Sequence, residues 1–124
     1  MTKGIGVDIL KISNIASSIS NPEDSFISHI YTKKELVLIN QRPIPLFSYA
    51  TRFAGKEAIF KSLGVDGNAI RLNELEILEA KNGQPIVLLH GNAKTIADQK
   101  GISQILISLS YDTDYAIAYA TAIV

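Results

Sequence analysis

Apolar residues change their spacing from segment to segment along this chain, and the spacing predicts the elements. Residues 3–10 (KGIGVDIL) are a compact, mostly apolar run that reads as a short buried strand with Asp8 near its end. Ile12, Ile15, Ala16 and Ile19 then recur at helical intervals, which predicts an amphipathic helix over 11–20 stopped by Asn21-Pro22. Residues 26–31 add a further helical turn. Thr32-Lys33-Lys34-Glu35 fits a capping box, in which the hydroxyl and the carboxylate each satisfy a free backbone N–H at a helix start. That helix carries Leu36, Val37 and Ile39 and ends before Arg42-Pro43-Ile44-Pro45. The longest helix is predicted over about 46–63, with Gly64 as its stop. Ala50, Ala54 and Ala58 give it a stripe of small residues suited to lying close on a sheet.

The second half turns to extended patterns. Residues 72–80 look extended and alternating, and Lys81-Asn82-Gly83-Gln84 signals a tight hairpin, since Asn-Gly tolerates the positive φ of a primed turn. Residues 85–90 are the return strand. A helix over 92–100, closed by Gly101, leads to a strand over 104–110. Tyr111-Asp112-Thr113-Asp114 turns into a last strand over 115–123. The order predicts an α+β fold: helices first, then a mostly antiparallel meander with one helix inserted. A length of 124 residues suits one domain over 1–124, and 47% hydrophobic residues supply enough material for its core.

Charge and composition narrow the function. Twelve basic and 12 acidic side chains give zero formal charge. That argues against a general binder of nucleic acid or anionic membrane, while leaving room for a local basic pocket that takes a small anion. There is no cysteine, so disulfides, zinc–thiolate sites and cysteine nucleophiles are excluded. The first residues lack a signal-peptide core, and the longest apolar stretch, 116–124, is too short to cross a bilayer. The expected setting is cytoplasmic.

Two positions stand out chemically. Asp8 sits inside Ile5-Gly6-Val7-Asp8-Ile9-Leu10, and a half-buried carboxylate must be paired, hydrogen-bonded or bound to a cation. It suits either an N-cap for the following helix or, with a second carboxylate alongside, an oxygen site for Mg²⁺. Glu57 and Lys61 are four apart on the longest helix and share a face; the ordinary alternative is a solvated ion pair worth ~0.3–0.5 kcal/mol. Arg42, Arg52, Lys56 and Lys61 are the candidate anion contacts. His29 and His90 are isolated and read as surface or structural residues. Gly4 and Gly6 make no dinucleotide fingerprint, and no P-loop, nucleophile elbow or His-Glu-x-x-His is present.

The run Arg52-Phe53-Ala54-Gly55-Lys56-Glu57-Ala58-Ile59-Phe60-Lys61-Ser62-Leu63-Gly64 resembles the signature of the holo-acyl-carrier-protein synthases, small phosphopantetheinyl transferases. Gly4-Ile5-Gly6-Val7-Asp8-Ile9, Leu75-Glu76-Ile77, Asn82-Gly83-Gln84-Pro85 and Ile107-Ser108-Leu109-Ser110 extend the likeness over nearly the whole chain. The resemblance implies helices packed on a mostly antiparallel sheet, a homotrimer with active sites at subunit boundaries, and transfer of 4′-phosphopantetheine from coenzyme A to a serine of an apo acyl carrier protein. Adenosine 3′,5′-bisphosphate would be released. It further implies that Asp8 and Glu57 hold Mg²⁺ against the pyrophosphate, and that Lys61 neutralises charge there. By the same resemblance Arg52 meets the ribose phosphate, Gly83, Gln84 and Pro85 border the adenine, and Gly64, Ser110 and Tyr111 complete the coenzyme contacts. The base would be a metal-associated water or Glu57 itself.

Two departures qualify the likeness. Asn14 stands where the family usually has Arg on its first helix, which here carries only Lys11 as a cation. Tyr111 replaces a usual His and brings no positive charge at neutral pH. Carrier docking is therefore expected to shift toward Lys33, Lys34 and Arg42. The alternative reading is a non-catalytic module of the same fold that binds coenzyme A or a related nucleotide.

Overall fold

The computed structural model describes residues 1–21 and 25–124. They form strand β1 (Thr2–Lys11), helices α1 (Ile12–Ser20), α2 (Phe26–Ile30), α3 (Lys33–Asn40) and α4 (Pro45–Leu63), then β2 (Leu75–Glu79), β3 (Pro85–Leu89), helix α5 (Gly91–Gln99), β4 (Gln104–Tyr111) and β5 (Tyr115–Ile123). The predicted stop of α1 at Pro22 lies outside the described residues.

The strands do not form one meander. β1, β5 and β4 make an antiparallel sheet in that spatial order, and β2 with β3 makes a separate hairpin. β1 pairs across the whole chain with β5, so Gly6 faces Ala120 and Asp8 faces Ala118. Spacing along the sequence carries no signal for a pairing so distant, which is why neighbouring strands were expected to pair instead.

Helix α4 lies on the sheet through its small residues: Ala50, Ala54 and Ala58 are fully buried, as their spacing predicts. Pro45 opens the helix, and Gly64 closes it in the left-handed conformation at φ 65°. β1 approaches the helix backbone so closely that a Cβ on Gly4 would fall 2.1 Å from the Ser62 carbonyl oxygen, and one on Gly6 would fall 2.0 Å from that of Ala58. These glycines exist for helix–strand contact.

β1 is not the fully buried strand its apolar run suggested. Gly4, Gly6 and Asp8 face α4, while Ile5, Val7 and Ile9 are more than half exposed on the opposite face. Tyr115, Ile117 and Tyr119 of β5 and Leu106 of β4 are likewise exposed large hydrophobics. The predicted alternation over 72–80 also fails. Leu72–Glu74 is a 3-10 turn, and Leu75, Glu76 and Ile77 of β2 are buried in succession, because this strand is covered on both faces.

A hairpin does form at Asn82-Gly83, but not through the primed turn expected: Gly83 takes φ 84° and Asn82 does not adopt positive φ, with the Gly83 N–H donating to the Ala80 carbonyl and the Gln84 N–H donating to Asn82 Oδ1. The α3 capping box is present too: Glu35 N–H donates to Thr32 Oγ1 at 3.2 Å, and Thr32 N–H donates to Glu35 Oε1 at 2.9 Å.

Candidate active site

The contact between β1 and α4 brings Asp8, Glu57 and Lys61 together. On β1, Gly4 rests on Ser62 and Gly6 on Ala58, so each two-residue step of the strand moves about one helical turn up α4. The next inward-facing residue is Asp8, close enough to Glu57 for the two carboxylates to act on each other. Lys61 does not close a surface pair with Glu57. Its Nζ reaches across to β1 and donates to the Val7 carbonyl at 2.8 Å and to Asp8 Oδ1 at 3.3 Å. Half-burial, then the nearby charge of Asp8, push the Glu57 carboxyl above its usual range, and Lys61 opposes the rise.

Among the described residues no group of three or more His, Cys, Asp or Glu gathers around a metal-sized space. The donor set here is two carboxylates. It fits Mg²⁺, which takes one or two protein carboxylates and fills its octahedron with water and substrate phosphates.

A cavity of about 760 Å³ opens elsewhere, between the first half of α4, the β2–β3 hairpin and β4. Arg52, Gly83, Gln84, Pro85 and Tyr111 of the expected ligand contacts line it. Gly64, at the far end of α4, and Ser110 are not among the lining residues. Arg52 is almost fully buried, its Nε donating to the Ile77 carbonyl at 3.1 Å and its Nη1 to Ser48 Oγ at 2.5 Å. Burial pushes its guanidinium down, opposed by the charges of Glu35 and Glu79 and aided by that of Arg42. Tyr111 stacks on Phe47 with ring centroids 4.9 Å apart, forming one wall.

The cavity and the Asp8 centre lie on different sides of one helix. Ser48 and Glu57 are nine residues apart, which is about 180° around an α-helix and ~13.5 Å along it.

Lys56 is not an anion contact. It is fully buried, and its ammonium donates to Glu35 Oε1 at 2.7 Å, the Leu75 carbonyl at 2.8 Å and the Leu72 carbonyl at 3.1 Å. Burial lowers its pKa and Glu35 opposes that shift. Arg42, read from sequence as a docking cation, is ion-paired with Glu79 at the cavity mouth. Lys33 and Lys34 are exposed at the start of α3.

Sequence reasoning missed Glu76, which accepts a hydrogen bond from Thr32 Oγ1 at 2.5 Å and contacts His90 Nε2 at 3.0 Å. The signal existed: Leu75-Glu76-Ile77 places a carboxylate in an apolar run, as at Asp8. Phe47, Ser48, Thr51 and Glu79 were missed as lining residues because only the tertiary fold brings their segments to one cavity.

Known proteins resemble this chain over nearly its whole length. A family model described as the 4′-phosphopantetheinyl transferase superfamily matches residues 4–120. The holo-[acyl-carrier-protein] synthase of Alkaliphilus oremlandii is 42% identical over 123 residues, covering 99% of this chain and 100% of that protein. The crystal structure of the Neisseria meningitidis holo-[acyl-carrier-protein] synthase superposes with a TM-score of 0.87 at 29% identity, covering 98% of each chain. The Helicobacter pylori synthase, solved in complex with coenzyme A, gives 0.82 at 28% identity, covering 95% of this chain and 98% of that one.

Proposed function

The chain belongs to the holo-acyl-carrier-protein synthase family of the 4′-phosphopantetheinyl transferase superfamily, and we propose that it transfers 4′-phosphopantetheine from coenzyme A to a serine of an apo acyl carrier protein. The observation that carries this reading is the convergence of Asp8, Glu57 and Lys61 where β1 crosses α4. The coenzyme A complex of the Helicobacter pylori relative supports coenzyme A as the donor.

The chemistry asks little covalent help of the protein. The serine oxygen forms a bond to the phosphorus nearest the pantetheine, the phosphorus–oxygen bond of the pyrophosphate breaks, and adenosine 3′,5′-bisphosphate leaves. Positioning and neutralisation of charge are the main needs. Mg²⁺ held by Asp8 and Glu57 would neutralise pyrophosphate charge. Lys61, fixed by Val7 and Asp8, aims an ammonium at the bridging phosphate oxygens. The serine proton passes to Glu57 or to a water beside it. Arg52, Gly83, Gln84, Pro85 and Tyr111 take the nucleotide end.

One chain presents the nucleotide cavity and the Asp8 centre on different sides of α4. A homotrimer whose active sites fall at subunit boundaries brings the cavity of one copy to the carboxylates of another. The exposed apolar face of Ile5, Val7, Ile9, Ile117 and Tyr119 supports such an assembly. The exposed polar positions of α1 (Ser13, Asn14 and Ser17) offer no cation, so acidic carrier surfaces are assigned to Lys33 and Lys34. The reading places both substrates in the cytoplasm; among the described residues no helix is long and apolar enough to cross a membrane.

The test is mass spectrometry of apo carrier protein incubated with the chain, coenzyme A and Mg²⁺. A gain of one phosphopantetheine mass that EDTA abolishes is the expected result. No gain on any carrier, with coenzyme A still bound, would overturn the transferase reading in favour of a non-catalytic binding module.

A further inference from the structure

At the mouth of the cavity an arginine is held by the chain's own carboxylate. Arg42, in the loop between α3 and α4, is ion-paired through Nη2 with Glu79, the last residue of β2. Both line the cavity, and the pair bridges its two sides, since Glu79 sits opposite Pro85 in the hairpin that carries Gly83 and Gln84. Glu79 also acts on Arg52, the buried guanidinium of the same cavity. Two arginines around a cavity are suited to an anion, and here the chain's own carboxylate already occupies one of them, Arg42.

We propose that Glu79 is a built-in competitor for the ligand phosphate at Arg42, weakening the hold on the nucleotide so that the bisphosphate product leaves quickly. The proposal rests on reading this cavity as the nucleotide site. A phosphate dianion brings more charge and more acceptor oxygens than a carboxylate, so it displaces Glu79 from Arg42. The gain is only the difference between the two pairings. Coenzyme A and adenosine 3′,5′-bisphosphate carry the same ribose phosphate, so both bind against the same opposition. The pair is partly exposed, at 47% for Arg42 and 24% for Glu79, which keeps the exchange readily reversible.

The test measures affinity and dissociation rate of adenosine 3′,5′-bisphosphate and of 5′-AMP on the full chain, Glu79→Gln, Arg42→Met and the double variant. Glu79→Gln should tighten the bisphosphate roughly two- to fivefold, the scale of an exposed ion pair, through slower dissociation. 5′-AMP should change little, and the gain should vanish in the Arg42→Met background. An equal gain for both nucleotides, or one that survives Arg42→Met, would mean that Glu79 acts only as a diffuse negative field, and would overturn the proposal. So would unchanged or weaker bisphosphate binding in Glu79→Gln. A wild-type chain that binds neither nucleotide would remove the cavity reading and this inference together.

Discussion

Replacing Lys56 by Met should be among the most damaging single changes in this chain, although the side chain touches neither the cavity nor the Asp8 centre. All three ammonium protons are used, on Glu35 and on the Leu72 and Leu75 carbonyls, with both side chains of the ion pair fully buried. Met fills much of the same volume but leaves the Glu35 carboxylate with only the Thr32 and Ile77 N–H groups, and leaves two carbonyls without this donor. Removing one partner of a buried pair costs on the order of 3–5 kcal/mol, because the remaining charge is uncompensated. For a chain of this length that corresponds to a fall in Tm of roughly 10–20 °C. Urea and thermal denaturation followed by circular dichroism would read it. The reasoning also requires that Glu35→Leu combined with Lys56→Met recover a large part of the loss, since the stranded charge is then gone. A Lys56→Met variant within about 1 kcal/mol of wild type would refute it, as would a double variant less stable than the sum of the singles.

Three further outcomes follow from the geometry. Gly6→Ala places a Cβ against the Ala58 carbonyl, so strand and helix must part; we expect a loss of at least ~1–3 kcal/mol in chemical denaturation, together with reduced transfer activity because Lys61 is displaced. Lys61→Ala should lower the rate of carrier modification by about 10²–10³, the scale of losing one preorganised charge-stabilising group, and a variant within tenfold of wild type would end its role. Burial opposes ionisation of Glu76, but the Thr32 and His90 contacts and the charges of His90 and Lys34 together outweigh it and hold its carboxyl below the usual range. A carboxyl depressed on folding stabilises above its unfolded pKa and loses that contribution as pH falls through the folded value. The stability gap between wild type and Glu76→Gln, measured by urea titration, should therefore be larger at pH 6 than at pH 3.

Local chemistry was readable from the sequence where it acts locally. The Thr32–Glu35 capping box, the Gly64 stop and the alanine stripe each depend on residues a few positions apart and form as expected, and the hairpin forms at Asn82-Gly83 though not with the primed turn. Pairings across the chain were not readable. The glycines facing α4 looked like part of an apolar run, so β1 was expected to be buried, when its inward face carries Gly4, Gly6 and Asp8 before Leu10, and Ile5, Val7 and Ile9 point the other way. The same limit applies to the site. Asp8 and Glu57 were singled out by burial context and likeness, but nothing in their spacing showed that Lys61 bonds to β1 rather than to its helical neighbour. Lys56 looked like any helix cation, because its partner Glu35 lies 21 residues away in a helix whose packing only the fold reveals.

The pairing of β1 with β5 also sets an order of events during synthesis. β5 is the middle strand of its sheet, and among the described residues β1 pairs with no strand but β5. As the chain emerges from the ribosome, β1 must wait through more than a hundred further residues for the strand it pairs with. Contacts so distant form late and slowly. Asp8 is thus held at its working position only after residues 115–123 have been made, while Glu57 and Lys61 can already lie on a formed helix. The nascent protein carries its candidate lysine and one carboxylate long before it can assemble the pair, so the candidate site is completed with β5 instead of growing in with chain length.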